Sequence, residues 1–266
     1  MKNSIVNSIG FKVVLNPWVI VISLLLFISF NSCKKDQNKD TSPEYGALTD
    51  IDGNVYKTIK IGEHWWMAEN LKVLRYRNGD SIDFIGLSGD RDSTKWSNHK
   101  SGAFCIIDNL DSTAQNYKGK MFGLLYNGYV VTDTRNIAPV GWHIPTDNEW
   151  KELEIYLGMS SAEAEKVSWR GSDQGNKLKI YSGWNYASDK YKIWGNNESG
   201  FAATGGGCCM YNGIWGNPGT FSTGFWWSST VEGNSAWYRY LDYNKINVFR
   251  YLGSLNYGFS VRLTKD

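Results

Sequence analysis

The feature that most constrains the fold is a succession of short segments, rich in aromatic and β-branched residues, that are separated by glycine-containing turns. The 266 residues include 13 Trp, 16 Tyr and 28 Gly but only 5 Pro. Aromatic and β-branched side chains favour the pleated surface of a sheet, and Gly supplies the backbone freedom that tight turns need. The composition is therefore typical of a loop-rich protein made mainly of short strands.

The clearest of these segments opens the domain. Residues 55–61 alternate between apolar and polar side chains, and they follow the dipeptide Asp52-Gly53. An Asp-Gly pair between alternating runs is a strong hairpin signal. We expect a hairpin around this turn, and we expect residues 64–68 to pair back onto Ile59 and its neighbours.

One helix is well marked. Thr146 can cap a helix, and Glu149, three residues later, can reach back to it in a capping box. The sequence therefore predicts a helix over about 147–157 that ends at Gly158, with a weaker helix over 161–167. Residues 121–131 are apolar without a clear period, and there we favour a short buried strand over a buried helix. The fold class that follows is α+β, rich in strands and loops.

The amino terminus has the pattern of an export signal. Lys2 and Lys12 precede an apolar core over residues 19–30, which is shorter than a membrane-spanning helix and runs into Cys33. We interpret residues 1–33 as a lipoprotein signal peptide that ends at a lipidated Cys33. An ordinary secretory peptide and a short anchor are the alternatives, and Phe30 stands where lipoprotein sites usually have an aliphatic residue.

The segment after the leader differs sharply from the rest of the chain. Residues 34–44 are polar and charged, without large apolar side chains before Tyr45, so they cannot bury enough surface to offset the entropy cost of ordering. We interpret them as a flexible tether. The predicted organisation is a signal peptide over 1–33, a tether over 34–44 and one domain over 45–266.

Charge and cysteine usage limit the partners. Removing Lys2 and Lys12 with the leader reduces 28 basic residues to 26, which balance the 26 acidic ones. A neutral chain gives no electrostatic case for binding nucleic acid. Three further cysteines, Cys105, Cys208 and Cys209, would meet an oxidising compartment, where either one adjacent cysteine pairs with Cys105 or both are simply buried.

Five sequence blocks in order resemble the Fibrobacter succinogenes major paralogous domain over essentially all of residues 45–266. The blocks are Asp50-Ile51-Asp52-Gly53-Asn54-Val55-Tyr56, Trp65-Trp66-Met67-Ala68-Glu69-Asn70-Leu71, Gly141-Trp142-His143-Ile144-Pro145-Thr146-Asp147 with Glu149-Trp150, Phe225-Trp226-Trp227-Ser228-Ser229-Thr230 and Gly258-Phe259-Ser260-Val261-Arg262.

The resemblance implies a C-type-lectin-like fold with a distant similarity to the formylglycine-generating and sulfatase-modifying enzymes, and no established activity. Relatives commonly have cysteines where this chain has Ala138 and Leu263. The resemblance implies that those cysteines form a disulfide in relatives, so that packing alone must hold this region here. A disulfide of that kind contributes roughly 2–4 kcal/mol.

The residues that carry catalysis in known enzymes do not form a recognisable pattern. His64, His99 and His143 lack metal-ligand spacing, and no nucleophile elbow is present. Asp50, Asp52 and Asn54 resemble the start of a calcium loop whose remaining ligands are missing. Cys208 and Cys209 are adjacent, and neighbouring cysteines rarely ligate one metal together. We therefore expect no catalytic residue, no metal and no cofactor.

Recognition is the function that the aromatic residues suit, because Trp and Tyr offer flat faces at low entropy cost. The candidate binding residues lie in predicted loops: Trp184, Trp194, Tyr211 and Trp215. Trp65, Trp66, Trp226 and Trp227 belong to the shared blocks, and we expect them in the core.

Our leading hypothesis is a non-enzymatic lipoprotein of the outer membrane or cell surface, held by lipid on Cys33, whose lectin-like domain binds a glycan or a protein. One alternative is an enzyme of the formylglycine-generating kind or another class. The other is a structural component of the envelope or of a surface filament.

Overall fold

The structure is a computed structural model that describes residues 42–85, 93–106, 122–181, 184, 195–213, 215–216 and 222–266. The predicted signal peptide, most of the tether, the lipidation site Cys33 and the binding candidate Trp194 lie outside the described residues. Pro43–Asp266 forms one compact unit. The buried apolar side chains of the described residues form three clusters within this unit, so the unit contains its own hydrophobic core.

The two ends of the compact unit share one five-stranded sheet. Its strands lie in the order β1, β2, β3, β15 and β7. They are β1 (Tyr45–Thr49), β2 (Val55–Ile61), β3 (His64–Met67), β15 (Thr264–Lys265) and β7 (Trp142–His143). The predicted first hairpin is confirmed, with Gly53 at φ +81° in its turn. The predicted pairing of the next strand is also confirmed, because Ile59 lies opposite Trp66.

A four-stranded antiparallel sheet is the second layer. Its strands lie in the order β11 (Thr223–Glu232), β12 (Ser235–Asp242), β13 (Val248–Ser254) and β8 (Ser168–Arg170). β11 and β12 belong to the aromatic-rich segments that the composition favours as strands. β13 pairs with β12 over six residues.

Very short strands make up a third sheet. They lie in the order β10 (Trp215–Gly216), β9 (Cys208–Cys209), β14 (Gly258–Phe259), β6 (Leu125–Asn127), β5 (Ala103–Cys105) and β4 (Asp83–Phe84). β6 runs directly into a helix that begins at Gly128, so the apolar segment 121–131 supplies both a buried strand and one helical turn. Asn127 caps that helix by accepting a hydrogen bond from the Val130 amide.

Five helices occur in the described ranges, and one of them is longer than two turns. They are α1 (Ser93–Asn98), α2 (Gly128–Thr132), α3 (Asp147–Tyr156), α4 (Ser161–Ala164) and α5 (Gln174–Leu178). α3 begins with the predicted capping box, in which Glu149 N donates to Thr146 Oγ1 and Thr146 N donates to Glu149 Oε2. The fold is α+β and dominated by strands. None of the described helices has the length and apolarity needed to cross a bilayer.

A buried arginine joins the last segment of the unit to the residues after β3 and to residues 201–202. Arg262 donates from Nε to Asn70 Oδ1 at 2.8 Å, and its Nη atoms donate to the carbonyls of Met67, Phe201 and Ala202. Burial lowers the pKa of Arg262 to about 9, so the guanidinium remains charged at neutral pH. The backbone carbonyls and Asn70 replace water around this charge.

Candidate binding surface

Four aromatic side chains lie in register across the four strands of the second sheet. Trp169 lies opposite Phe249, Phe249 opposite Tyr240, and Tyr240 opposite Phe225. Directly opposed residues of an antiparallel pair project from the same face. All four side chains are half-buried. One face of this sheet therefore carries a continuous line of half-buried rings, and Phe225 in this line packs against the largest core cluster.

The line continues beyond the edge of the sheet. Phe259 stacks on Phe225 at 5.1 Å between ring centroids, Tyr257 stacks on Phe259 at 5.2 Å, and Tyr211 meets Tyr257 edge to face at 5.6 Å. We call the whole set the aromatic row. It consists of Trp169, Phe249, Tyr240, Phe225, Phe259, Tyr257 and Tyr211.

The rings of the row differ in what they can offer to a ligand. Phe225 stacks on Tyr240 at 4.4 Å as well as on Phe259, so rings cover both of its faces. Tyr211 is 52% exposed, and Tyr251, which packs against Phe249 beside the row, is 50% exposed. The stacked rings supply a rigid apolar floor, and Tyr211 and Tyr251 supply accessible aromatic surface.

Few charges lie near the row, and its own members carry none. The Tyr240 hydroxyl donates to Asp242 Oδ2 at 2.5 Å, and the Lys245 ammonium lies 5.9 Å from the centre of the Trp169 ring. Burial raises the pKa of Tyr240, and the hydrogen bond to Asp242 adds to that rise, so the phenol stays neutral. The surface is aromatic and hydroxyl-bearing rather than ionic.

The opposite face of the same sheet carries a buried group of charged side chains. Arg239 and Arg250 are opposite each other on β12 and β13, and Arg170 follows on β8. Asp147 accepts from Arg239 Nη1 at 2.7 Å and from Arg250 Nε and Nη2 at 2.9 and 2.7 Å. Glu154 accepts from Arg239 and from Arg170. We call these five residues the buried ion cluster.

The buried ion cluster fixes α3 on the sheet. Asp147 and Glu154 are the helix's contributions, and every member of the cluster is at most 7% exposed. Burial alone raises the pKa of Asp147, but hydrogen bonds and charge from Arg250 and Arg239 outweigh it and lower the pKa to about 2. The helix is thereby held against the face of the sheet opposite the aromatic row.

The structure describes three of the four sequence-predicted binding residues, and it places them differently. Trp184 is only 3% exposed and donates from Nε1 to the Ala203 carbonyl at 3.0 Å. It belongs to the core, so our expectation of a surface position for it is wrong. Tyr211 is exposed and lies at one end of the aromatic row. Trp215 contributes its backbone to β10 opposite Cys209. The core positions expected for Trp66, Trp226 and Trp227 are confirmed, while Trp65 is half-buried.

The two adjacent cysteines do not point to one site. Cys208 packs in the largest core cluster, whereas Cys209 packs with Trp96 and Cys105 in a separate small cluster. Successive side chains of a strand point to opposite faces, which accounts for the separation. Within the described ranges, no three His, Cys, Asp or Glu side chains come together as metal ligands.

The Asp50 turn and the histidines have structural partners. The Asp50 carboxylate accepts from the amides of Asp52 and Asn54, from the Asn54 side chain and from the Tyr56 hydroxyl. The calcium-like sequence therefore closes a turn through its own hydrogen bonds. His64 pairs with Glu152, His99 with Asp83, and His143 with both Glu149 and Asp266.

Comparison with known proteins identifies the family. No curated protein and no solved structure matches the chain. The model of the Fibrobacter succinogenes major domain matches residues 59–265, which include strands of all three sheets and the buried ion cluster. The chain therefore belongs to the Fibrobacter succinogenes major domain family.

Proposed function

We propose that this protein is a non-enzymatic glycan-binding module, displayed by a lipid anchor on Cys33 at the outer membrane or cell surface. The aromatic row is the observation that carries the proposal. A sugar ring presents apolar C–H patches between hydroxyls, and it can use both aromatic surface and hydrogen-bonding groups. The row and its margin offer ring surface together with the hydroxyls of Tyr211, Tyr251 and Tyr257.

The ligand class follows from charge. No member of the row is ionised, and the nearby Asp242 carboxylate is already hydrogen-bonded to Tyr240. Apart from Lys245 beside Trp169, the row offers no counter-charge to a strongly charged ligand, and desolvating a charge without one is costly. We therefore assign a neutral glycan. The rigid, stacked rings also need little ordering upon binding, which favours affinity.

The fold and the location are parts of the same proposal. The family resemblance supports a C-type-lectin-like fold, and the shared sheet of β1 and β15 is consistent with the paired ends of such a domain. The basic and apolar leader that runs into Cys33 supports lipid attachment. Metabolic labelling with a tagged fatty acid would label the wild-type chain and leave Cys33→Ser unlabelled. Equal labelling of both chains would contradict the anchor.

A screen against immobilised neutral and charged glycans tests the binding proposal. The suitable protein is the chain from Lys34 onward, because it retains the whole compact unit Pro43–Asp266. We expect selective binding of neutral glycans. Binding restricted to sulfated or carboxylated glycans, or capture of a protein through the same row with no glycan bound, would overturn the proposal.

A further inference from the structure

The first strand of the five-stranded sheet lies at its edge. In the part of the chain that the structure describes, β2 is the one strand that pairs with β1. Leu48 is buried, and the other four residues of β1 are exposed. The unpaired N–H and C=O groups of an exposed edge strand are a template for a further strand.

The pairing with β2 determines which backbone groups face outward. Opposed residues of an antiparallel pair alternate between hydrogen-bonded and non-hydrogen-bonded pairs. Lys60 N donates to Glu44 O at 2.9 Å, and Asp50 N donates to Asn54 O at 3.0 Å. Bonded pairs therefore lie just beyond both ends of β1, and the alternation makes the even-numbered residues between them bond to β2 as well.

The odd-numbered residues of β1 direct their N–H and C=O groups away from β2, and they are Tyr45, Ala47 and Thr49. Among the described residues, no backbone group bonds to these three on the open side. The set is symmetric about Ala47, so an antiparallel second copy of β1 would satisfy it completely. Ala47 would then lie opposite Ala47 of the second copy, and Tyr45 opposite its Thr49.

The composition of β1 leaves this edge unprotected. Natural edge strands are commonly blocked by a charged side chain, by Pro or by a bulge. β1 contains no charged residue and no Pro, and its register with β2 continues without a bulge. Two copies of such a neutral strand do not repel each other.

The side chains also leave room for a second strand. A Cβ atom on Gly200 would collide with the end of the Ile59 side chain and would lie 3.8 Å from the Tyr45 hydroxyl. Ile59 lies opposite Tyr45 on β2, so the Tyr45 ring leans over β2 and not over the open edge. Gly46 has no side chain, and Ala47 ends at its methyl group. The backbone of a second strand can therefore come within hydrogen-bonding distance.

We propose that β1 pairs with β1 of a second copy of this protein about a two-fold axis at Ala47, which joins two five-stranded sheets into one. Each of the three opposed residue pairs exchanges two backbone hydrogen bonds. The pairing ends at Tyr45 because Pro43, the next residue that faces the open side, has no N–H to donate.

The size of the contact sets its strength. One short strand pair buries much less surface than a standard protein interface, so the association is weak and depends on concentration. Anchoring both copies to one membrane would raise their effective concentration. The inference uses the proposed anchor in this respect, and it does not depend on glycan binding.

Sedimentation velocity measures the association directly. The chain from Lys34 onward retains the compact unit and is compared over concentrations from about 1 μM to about 1 mM. We expect a monomer–dimer equilibrium that shifts towards the dimer as the concentration rises. A monomer at every concentration would overturn the proposal.

Two charge variants at the two-fold axis test the register. Ala47 is exposed, so Ala47→Lys and Ala47→Glu should unfold at the same urea midpoint as the wild type. Each variant alone places like charges opposite each other and should weaken dimerisation at least about tenfold. An equimolar mixture of the two should dimerise again, because opposite charges then meet. A mixture that stays monomeric would contradict a two-fold axis at Ala47.

A matched variant controls for added charge. Val140 is 83% exposed and lies two residues before β7, at the other edge of the same sheet. Val140→Lys adds the same charge there and should dimerise like the wild type. A loss of dimer equal to that of Ala47→Lys would assign the effect to net charge and overturn the assignment to β1.

Amide hydrogen exchange locates the contact residue by residue. The amides of Tyr45, Ala47 and Thr49 should exchange more slowly as the concentration rises, whereas those of Gly46 and Leu48 already bond to β2 and should change little. Unchanged exchange at the three odd-numbered amides would overturn the proposal. These measurements use no glycan, so their failure is distinct from a failure of glycan binding.

Discussion

Arg239 and Arg250 are direct partners on neighbouring strands, and their guanidinium groups share the carboxylate of Asp147 on the face of the sheet opposite the aromatic row. Like charges placed directly opposite each other destabilise a sheet. Asp147 compensates both of them, so one helix residue permits two buried arginines. The other face of the sheet carries the aromatic row.

Replacing Asp147 should lower the free energy of unfolding by more than a typical substitution of a buried polar residue does. In Asp147→Asn, Arg239 and Arg250 would remain buried next to each other without their shared counter-charge. Removing one partner of a buried ionic network costs about 3–5 kcal/mol. Urea unfolding should show a lower midpoint with an unchanged slope. Glu198→Gln, at an acid that is 61% exposed, is the control and should unfold like the wild type. Equal midpoints for the two variants would contradict the role assigned to Asp147.

Stability should fall in acid because two carboxylates of α3 are held ionised. Partial burial raises the pKa of Glu149, but hydrogen bonds from His143 and Thr146 lower it to about 2, and Asp147 also has a pKa of about 2. Both values lie below those of the unfolded chain, so the stabilisation is complete above about pH 4.5 and is lost as the pH falls towards 2. Each group contributes roughly 2–3 kcal/mol.

The charge of Glu149 can be separated from its capping role. Glu149→Gln keeps an oxygen that can accept from Thr146 N and removes the titration. Urea midpoints measured from pH 2 to pH 6 should therefore change less steeply with pH in this variant than in the wild type. Identical slopes would contradict the assignment.

The pair of His143 and Glu149 also predicts a change in stability at higher pH. The hydrogen bond to Glu149 raises the pKa of His143, and the bond to Asp266 adds to the rise. The contribution of His143 is therefore complete below its unfolded pKa and is lost as the pH rises through its folded pKa. NMR titration of the imidazole should give a pKa above that of an unfolded histidine, and Glu149→Gln should lower it. A value that does not move would contradict the pairing.

Arg262→Lys should be strongly destabilising although it keeps the charge. A lysine has one donor centre and cannot reproduce the separate Nε and Nη contacts to Asn70 and to three backbone carbonyls. Each buried acceptor left without a donor costs about 1–3 kcal/mol. Thermal unfolding should show a clearly lower midpoint than for Arg75→Lys, whose side chain is 44% exposed. Similar midpoints for the two variants would show that the separate Nε and Nη donors of Arg262 do not matter for stability.

Local signals made two elements predictable. The Asp52-Gly53 turn and the capping box of Thr146 and Glu149 depend on residues a few positions apart, and the structure has both. The end of α3 was also predictable from a local signal, because Gly158 has a φ of +100° directly after the last turn. Such features need no knowledge of the rest of the chain.

The aromatic row was not predictable because contacts between distant segments decide which face of the sheet its residues occupy. In an exposed sheet, charged residues are expected to face solvent and aromatic residues the core. Arg239 lies on the face that meets α3, where Asp147 and Glu154 pair with it, and Tyr240 therefore lies on the opposite face. Trp184 was misplaced for a similar reason, since its partner Ala203 lies in another segment. The strand pattern of β12 was the available signal, but its orientation depends on these non-local contacts.

The affinity of a neutral glycan for the row, measured by isothermal titration calorimetry, tests the central claim most directly. Tyr211 and Tyr251 have accessible aromatic surface at the row and its margin, and Tyr45, 64% exposed on β1, is a matched control. We expect Tyr211→Ala and Tyr251→Ala each to weaken binding by about tenfold, or about 1.4 kcal/mol. Tyr45→Ala should bind like the wild type. Unchanged affinity in both Tyr211→Ala and Tyr251→Ala, or an equal loss in Tyr45→Ala, would contradict the claim that the aromatic row and its margin are the binding surface.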